Sequence, residues 1–378
     1  MIKFFVTGDN HIGKKFDRYK KVKDKLIESR FESLADMVKK ADADNCAFFV
    51  VTGDLFDNVN SIKIGDVKKV VDILSTFTGD VLIIPGNHDY YTGNEKVWSD
   101  FETQMSMVSN NITILNEYKS VEFEVGDDTV VFYPAFCQSK HSKENNLGWI
   151  KTADMDYGKY NIGLAHGAIA GLTPDMKEEF FLMTESELSS IPVDAWFIGH
   201  THISYPELKT DEYTEGYKIF NPGTHQQLDL HNRTEGCCFE ITVDKTDGKT
   251  TVSARKIISG NVTYHDIEIN VSPDSDTALY NSIEERVSGL KNNSIVRLNI
   301  SGVVKESEYR DRNKTYEKLL GVFMDYEIVD SELSQEITLE KIKEEYSEVS
   351  FAYKLMEELM DNNVELQMVY QLMGRCKE

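Results

Sequence analysis

The sequence predicts an α/β protein in which helices cover sheets of short buried strands. Over the first two hundred residues, short apolar runs rich in β-branched and aromatic side chains alternate with segments of helical periodicity. Hydrophobic residues make up 40% of the 378 positions, with 19 Phe and 18 Tyr. The chain is therefore long and apolar enough to bury one large core and one or two smaller ones.

Five apolar runs are short enough to be buried strands, and they are residues 2–6, 47–52, 81–84, 162–165 and 195–198. Between them, apolar residues three or four apart predict helices over residues 20–41 and 64–77. Alternation of apolar and polar residues then predicts a hairpin over residues 121–133, with its turn at Gly126. Further short strands are predicted at residues 217–221, 237–243 and 251–257.

The pattern changes after Gly260. Strands at 262–269 and 295–300 are predicted to flank a helix at 275–290, and a helix at 309–319 and a short strand at 326–329 follow. From Thr338 onward the chain is predicted to be wholly helical, because its apolar residues recur three or four apart. The predicted domains are residues 1–260, 261–333 and 334–378.

Charge and cysteine content narrow the class of protein. The net charge of −23 is unusual for an enzyme that binds nucleic acid, but seven basic residues lie between Lys14 and Lys25, so a local positive surface is expected. No apolar run approaches the roughly 20 residues of a membrane span, and no membrane association is expected. Five cysteines without CxxC spacing indicate a reduced, cytoplasmic protein.

Each predicted parallel strand ends in a short glycine-containing turn that carries metal-binding side chains. The turns read GDNHIG, GDLFD, GNHD, AHG and GHTH. Because the carboxyl ends of strands in an α/β sheet open onto one crevice, and glycine allows sharp turns there, these side chains are expected to converge. The candidate metal ligands are Asp9, His11, Asp54, Asn87, His166, His200 and His202.

This donor set has a specific chemistry. Four histidines, two aspartates and one asparagine offer nitrogen and oxygen atoms, which suit a divalent ion such as Mn, Fe or Zn and exclude a thiolate site. Seven ligands are too many for one tetrahedral ion but suit two ions that share a bridge. Two ions roughly 3.5–4 Å apart bind a phosphate, activate water and neutralise the transition state. The sequence therefore predicts a two-metal hydrolase of phosphoesters.

In their order DxH, GDxxD, GNH[DE], H and GHxH, the motifs resemble those of the calcineurin-like metallophosphoesterases, over residues 1 to about 260. The resemblance implies a four-layer sandwich of two sheets flanked by helices. It also implies two ion sites that share Asp54. The first would be formed by Asp9, His11, Asp54 and His202, and the second by Asp54, Asn87, His166 and His200.

The resemblance also implies two catalytic residues outside the ligand set. His88 is similar to the family's non-ligand histidine, which contacts the phosphate and protonates the leaving oxygen. In related phosphatases the second aspartate of GDxxD orients that histidine, so Asp57 is the candidate partner, with Asp89 as the alternative.

Three further features resemble the SbcD-type DNA repair nucleases. The HIG of GDNHIG precedes a basic segment, residues 261–333 resemble that group's small α+β capping domain, and residues 334–378 resemble its helical tail. The resemblance implies a Mn-dependent double-strand exonuclease and single-strand endonuclease acting in DNA repair or recombination, with Mg, Fe or Zn as alternative ions. It implies a homodimer through helices near 61–77 and 98–108, and an SbcC-like SMC-type ATPase partner bound by the tail. Candidate DNA contacts are Lys14, Lys15, Arg18, Lys20 and Lys21.

Several alternatives stay open at this stage. The chain reads NPGTHQQ over residues 221–227, where that group commonly has Pro-Gly-Ser-Pro, so His225 is either a phosphate contact or a loop histidine without a metal role. The apolar stripe of the tail either docks on a partner or packs on its own domain. A small-molecule phosphodiesterase or nucleotide phosphatase would explain the acidic composition, and a non-catalytic scaffold at DNA ends is a third function.

Overall fold

The chain folds into two compact units, Met1–Thr263 and Tyr264–Glu378. The computed structural model describes residues 1–108, 110–172, 177–232, 234–246 and 248–375. Within these ranges, no helix combines the length and the apolar composition that crossing a bilayer requires.

The first unit alternates strands and helices up to β8 and ends in strands. In chain order it contains β1 (Ile2–Thr7), α1 (Lys23–Ala43), β2 (Phe48–Val51), α2 (Ile64–Leu74), β3 (Asp80–Ile83), α3 (Lys96–Val108), β4 (Ile112–Ile114), β5 (Val121–Val125), β6 (Asp128–Ala135), a 3₁₀ turn (Ile150–Thr152), β7 (Tyr160–His166), α4 (Glu185–Ser190), β8 (Ala195–Gly199), β9 (Thr214–Glu215), β10 (Ile219–Phe220), β11 (Cys237–Thr246) and β12 (Lys249–Ile258).

A seven-stranded sheet in the order β4-β3-β2-β1-β11-β12-β9 forms one layer of this unit. Strands β1 to β4 are parallel, and β11 runs antiparallel to β1. Both faces are buried, which explains why β1 and β2 are apolar without alternation. Phe5 and Phe49 stack on the face covered by α1, α2 and α3, whereas Phe4 and Phe48 stack on the opposite face. Burial of each of these phenylalanine side chains contributes about 1.5–3 kcal/mol to the free energy of folding.

A five-stranded sheet in the order β10-β8-β7-β6-β5 forms the next layer. Its inner face, with Phe132 and Leu164, packs against the first sheet. Its outer face, with Trp196 and Ile198, packs against Leu188 of α4 and the 3₁₀ turn. The layers are therefore helices, sheet, sheet and helices, which confirms the predicted α/β class with sheets flanked by helices.

The second unit is built on a three-stranded sheet in the order β13-β14-β15. Its elements are β13 (Thr263–Val271), α5 (Ala278–Val287), β14 (Ser294–Val304), α6 (Glu306–Leu320), β15 (Asp325–Gln335), α7 (Leu339–Glu345), α8 (Phe351–Glu358) and α9 (Asn363–Arg375). The last strand is longer than the predicted 326–329. Its continuation is mainly polar, so parallel pairing with β14 rather than apolar periodicity defines its length.

The prediction of a wholly helical tail from Thr338 is wrong in part, because three short helices form it. Thr338 caps α7 by accepting a hydrogen bond from the amide of Lys341, and Ser350 caps α8 in the same way. A serine cap favours a new helix start over continuation, so the chain leaves the helical conformation between α7 and α8. The tail has its own core of Ile337, Ile342, Tyr353, Met356 and Leu366.

Candidate metal centre

The ligand turns meet where the parallel strands of both sheets end. The first sheet supplies Asp9 and His11 after β1, Asp54 after β2, and Asn87 and His88 after β3. The second sheet supplies His166 at the end of β7, and His200 and His202 after β8. Within the described part of the chain, the structure brings potential ligand atoms within 4.8 Å of one another in three groups; one joins His11 with Asp57 and His88, and the other two share Asp54. Of the two that share Asp54, the first cluster is Asp9, His11, Asp54 and His202, and the second is Asp54, His166 and His200.

The turns hold unusual backbone conformations. Four residues of these turns have φ values that non-glycine residues rarely adopt: 49° at Asp9, 44° at His11, 53° at Asp54 and 55° at His202. Each such conformation costs about 1–3 kcal/mol of folding free energy, and it persists because the surrounding contacts offset that cost. A β-carbon at Gly86 would collide with Asp54 and with the ring of His166. Glycine is therefore required there because the two ligand turns approach so closely.

In the first cluster, two imidazole nitrogens point at each other. Nε2 of His11 lies 3.0 Å from Nε2 of His202, and 4.0 Å from a carboxylate oxygen of Asp54. Nε2 of His202 lies 3.8 Å from Asp9. At most one proton fits between two imidazole nitrogens, whereas a cation accepts the lone pairs of both. Burial lowers the pKa of both histidines, that of His202 to about 2, so both rings are neutral, as metal binding requires.

In the second cluster, the amide oxygen of Asn87 lies 3.0 Å from both Nε2 of His166 and Nδ1 of His200. Nδ1 of His166 donates to the carbonyl of Thr52 at 2.8 Å, so Nε2 faces the site. That nitrogen also lies 3.4 Å from Asp54. Burial opposes protonation of His166, but Asp54 outweighs it and raises the pKa to about 9. The proton on Nε2 of His166 lies beside the Asp54 carboxylate, where a divalent ion would neutralise more of the negative charge.

The two aspartates are fully buried. Burial raises the pKa of Asp9 to about 8, while the main-chain amide of His200 donates to both of its carboxylate oxygens at 3.0 Å. Burial opposes ionisation of Asp54 as well, but the neighbouring His166 and His11 lower its pKa well below the usual range. Among the described residues, Oδ2 of Asp54 has no hydrogen-bond partner. A buried carboxylate oxygen without a hydrogen-bond partner is suited to bind a metal ion. The donor set as a whole is suited to bind two divalent ions.

His88 is held beside these clusters. Its main-chain amide donates to Asp54 at 2.8 Å, and its ring lies 4.8 Å from that of His11. Nδ1 of His88 donates to the main-chain carbonyl of Asp57 at 3.0 Å, which leaves Nε2 as the ring nitrogen available to a substrate.

Asp57, the candidate partner of His88, contacts that histidine through its main chain, and its carboxylate lies in one group with His11 and His88. The carboxylate of Asp57 lies 3.4 Å from Nδ1 of His11 and so orients a ligand, while its carbonyl orients His88. The carboxylate of Asp89 is buried and accepts hydrogen bonds from the amides of Phe56 and Gly86. Asp89 therefore braces the GDLFD and GNHD turns through these two amides.

The basic residues divide between a groove and the open surface. Lys14, Lys15 and Arg18 line a groove of about 510 Å³ together with Asp57. Lys20 and Lys21 are exposed on the loop that follows but are outside its lining.

Two further residues lie near the site: His225, for which the sequence left two roles open, and Arg30, which was not identified from the sequence. His225 is fully buried, and Nε2 lies 3.4 Å from the carbonyl of Arg30, so it does not face an open phosphate site. The side chain of Arg30 reaches the turn between Asp9 and His11. It stands four residues after Leu26 and four before Leu34, on the buried face of α1. An arginine in an apolar helical stripe was the available signal.

Comparison with known proteins identifies the class. Residues 2–204, more than half of the chain, match the model of the calcineurin-like phosphoesterase family, and the chain belongs to that family. It is 25% identical over 289 residues to the uncharacterised metallophosphoesterase YhaO of Bacillus subtilis. That match covers 75% of this chain and 66%, slightly less than two thirds, of the relative.

Solved structures of similar chains include TT1561 of Thermus thermophilus, at 10% identity, a TM-score of 0.38, and coverage of 59% of this chain and 89% of the other. The calcineurin-like phosphoesterase YfkN of Bacillus subtilis is 13% identical, with a TM-score of 0.40 and coverage of 68% of this chain and 90% of that chain. A dimetal phosphatase from Danio rerio is 14% identical, with a TM-score of 0.34 and coverage of 58% of this chain and 86% of that chain. The family model and the arrangement of the side chains together define a protein of the metallophosphoesterase type, with residues that could form a dimetal site.

Proposed function

We propose that this phosphoesterase is a manganese-dependent DNA nuclease of the SbcD type. The observation that carries the proposal is the groove lined by Lys14, Lys15 and Arg18. It includes Asp57, whose carboxylate lies 3.4 Å from His11 and whose carbonyl lies 3.0 Å from His88, so it adjoins the ligand clusters. Asp17, Asp57 and Asp229 line the same groove, so Lys14, Lys15 and Arg18 would contact strand phosphates as single cations and not as a uniformly positive wall, in a chain with a net charge of −23.

His88 is the proposed general acid. With Nδ1–H donated to the carbonyl of Asp57, the imidazolium form of His88 carries a second proton on Nε2, which would be transferred to the departing 3′ oxygen and leave the ring neutral. The hydrogen bond from the main-chain amide of His88 to Asp54 fixes the backbone of His88 beside the aspartate that both clusters share. Two divalent ions would supply an activated water and neutralise the charge of the phosphate when bound. Manganese is proposed from the resemblance to the SbcD type, and the mixed nitrogen and oxygen donors also suit Fe or Zn.

The lysines and Arg18 are proposed to contact backbone phosphates along the strand. Such contacts position the substrate without reading its sequence, so cleavage of linear duplex and single-stranded DNA with little sequence preference is expected.

The test compares DNA with a small diester. Reversing two charges of the groove in the double variant Lys14→Glu/Lys15→Glu is expected to slow DNA cleavage by more than about tenfold and to reduce its salt dependence, since phosphate contacts are lost. Hydrolysis of bis-p-nitrophenyl phosphate should stay within about twofold, because that substrate does not extend along the groove. The control is Lys39→Glu/Lys209→Glu, which changes exposed lysines outside the groove and outside α2 and α3. Intact DNA together with hydrolysed cyclic dinucleotides would establish the small-molecule phosphodiesterase instead.

We propose an SbcC-like SMC-type ATPase as the partner of the tail. Most of the predicted stripe packs inside the tail, but Val364, Met368 and Leu372 of α9, four residues apart, are exposed by 75%, 61% and 53%. Such a row suits helix-to-helix docking. The variant Met368→Glu should abolish co-purification with a co-encoded SMC-like ATPase, whereas Tyr157→Glu, at an exposed apolar position of the first unit, should not. If both variants co-purify with the ATPase equally well, α9 is not the surface that binds it.

We also propose a homodimer through α2 and α3. These helices pack against each other and expose Ile64, Met107 and Val108. Light scattering should give twice the chain mass for the wild type and the single chain mass for Met107→Glu. A monomeric wild type at micromolar concentration would exclude this dimer.

A further inference from the structure

An arginine is buried behind the first metal-binding turn. Arg30, on α1, is 1% exposed, and its guanidinium reaches the main-chain carbonyl of Asn10. Nε donates to that oxygen at 3.0 Å, and Nη2 donates to the same oxygen. Asn10 stands between the ligands Asp9 and His11. A charged side chain is rarely buried to this extent, and here it is directed at one main-chain oxygen of the metal site.

The turn is held from two sides. The amide of Asp9 donates to the carbonyl of Gly53 at 3.0 Å, and the amide of His11 donates to the carbonyl of Asp54 at 2.9 Å. These bonds tie the turn to the second ligand turn. The guanidinium ties the opposite side to α1. Because Asp9 and His11 both have positive φ, the turn has no regular hydrogen-bond pattern of its own to maintain it.

The position of Arg30 is itself fixed by the loop that follows β10. His225 lies 3.4 Å from the carbonyl of Arg30, and Gln226 donates to the hydroxyl of Ser29 at 2.8 Å. Ser259 donates to the carbonyl of His225. Burial and the nearby Arg30 lower the pKa of His225 far below its ordinary value, so the histidine stays neutral and adds no second positive charge.

We propose that Arg30 is a positioning residue that holds the Asp9–His11 turn in its metal-binding conformation through the carbonyl of Asn10. The planar guanidinium directs two hydrogen bonds to one oxygen, which a lysine cannot reproduce with the same geometry. Partners that orient metal ligands typically change metal affinity or activity by about 10–100-fold when they are removed. The role concerns the metal site alone and holds for any phosphoester substrate.

The experiment measures Mn²⁺ affinity by titration against the electron paramagnetic resonance signal of the free ion. Arg30→Met is expected to raise the Kd of the site that contains Asp9 and His11 by about 10–100-fold, and Arg30→Lys by a smaller factor. The kcat for bis-p-nitrophenyl phosphate at saturating Mn²⁺ should recover to within about threefold, since every ligand remains. The matched control is Arg255→Met, which removes an arginine that pairs with Asp44 and Glu240 in the same unit.

The two variants separate positioning from general stability. Arg255→Met should lower the melting temperature and leave the Mn²⁺ Kd within about twofold, because it does not touch the metal turn. Wild-type affinity in Arg30→Met would overturn the proposal, and so would an equal loss of affinity in Arg255→Met. If Arg30→Met does not fold, Arg30→Lys decides alone, and an unchanged Kd there refutes the proposed geometry.

Discussion

Replacing His88 with asparagine separates proton donation from metal binding. The ring of His88 is held by Asp57 at Nδ1 and presents Nε2, whereas the shared ligand Asp54 receives only the main-chain amide of His88. That amide remains in His88→Asn, so the ligand clusters should keep their metal affinity. The shorter asparagine side chain cannot act as an acid at the position of Nε2.

The size of the effect should depend on the leaving group. General acid catalysis contributes about 10²–10⁴-fold when the departing oxygen needs a proton. The 3′ alkoxide of a nucleotide needs one, whereas p-nitrophenolate leaves readily without it. His88→Asn should therefore reduce the kcat for DNA by about 10²–10⁴-fold and that for bis-p-nitrophenyl phosphate by less than about tenfold.

The assay measures kcat for both substrates at saturating Mn²⁺, with metal content determined on the same samples. His265→Asn, which makes the same replacement in the second unit, is the control. Equal losses on both substrates would show that His88 binds the phosphate without donating a proton. Loss of bound metal in His88→Asn would refute the assignment of His88 outside the ligand set.

Four further outcomes follow from the site. Asp54→Asn should lose both ions by metal analysis, because Asp54 belongs to both clusters; retention of two ions would exclude it as the bridge. Gly86→Ala should abolish metal binding or folding, measured by metal analysis and circular dichroism, because its β-carbon would collide with Asp54; a normal site would show that the turn adapts. Asp57→Asn should weaken metal binding by about 10–100-fold through His11, and an unchanged Kd would leave Asp57 without that orienting role. Metal-free protein should lose thermal stability as pH rises from 6.5 through about 9, because the raised pKa of His166 stabilises the fold only while the ring is protonated; a flat profile would contradict this.

The ligand set could be predicted from the sequence because strands and turns are both local signals. The apolar runs 2–6, 47–52 and 81–84 locate three parallel strand ends to within one residue, and the metal-binding side chains follow each within a few residues. Parallel strands must open on one side, so the convergence of the turns was implied by topology before any distance was known.

The orienting contacts could not be predicted, because they depend on side chains and main-chain atoms that are distant in sequence. Nothing in GDLFD distinguishes the carboxylate of Asp57 from its carbonyl, yet the first orients His11 and the second orients His88. Arg30 reaches Asn10 across 20 residues. The tail was misjudged for a related reason, since apolar spacing does not show where Ser350 begins a new helix.

Equilibrium dialysis with Mn²⁺ measures whether the chain holds two ions around the shared Asp54. The wild type should bind two ions per chain, with hydrolysis of bis-p-nitrophenyl phosphate appearing only as the second ion binds. A single ion per chain at full activity, or activity in protein that binds none, would exclude a two-metal site on Asp54.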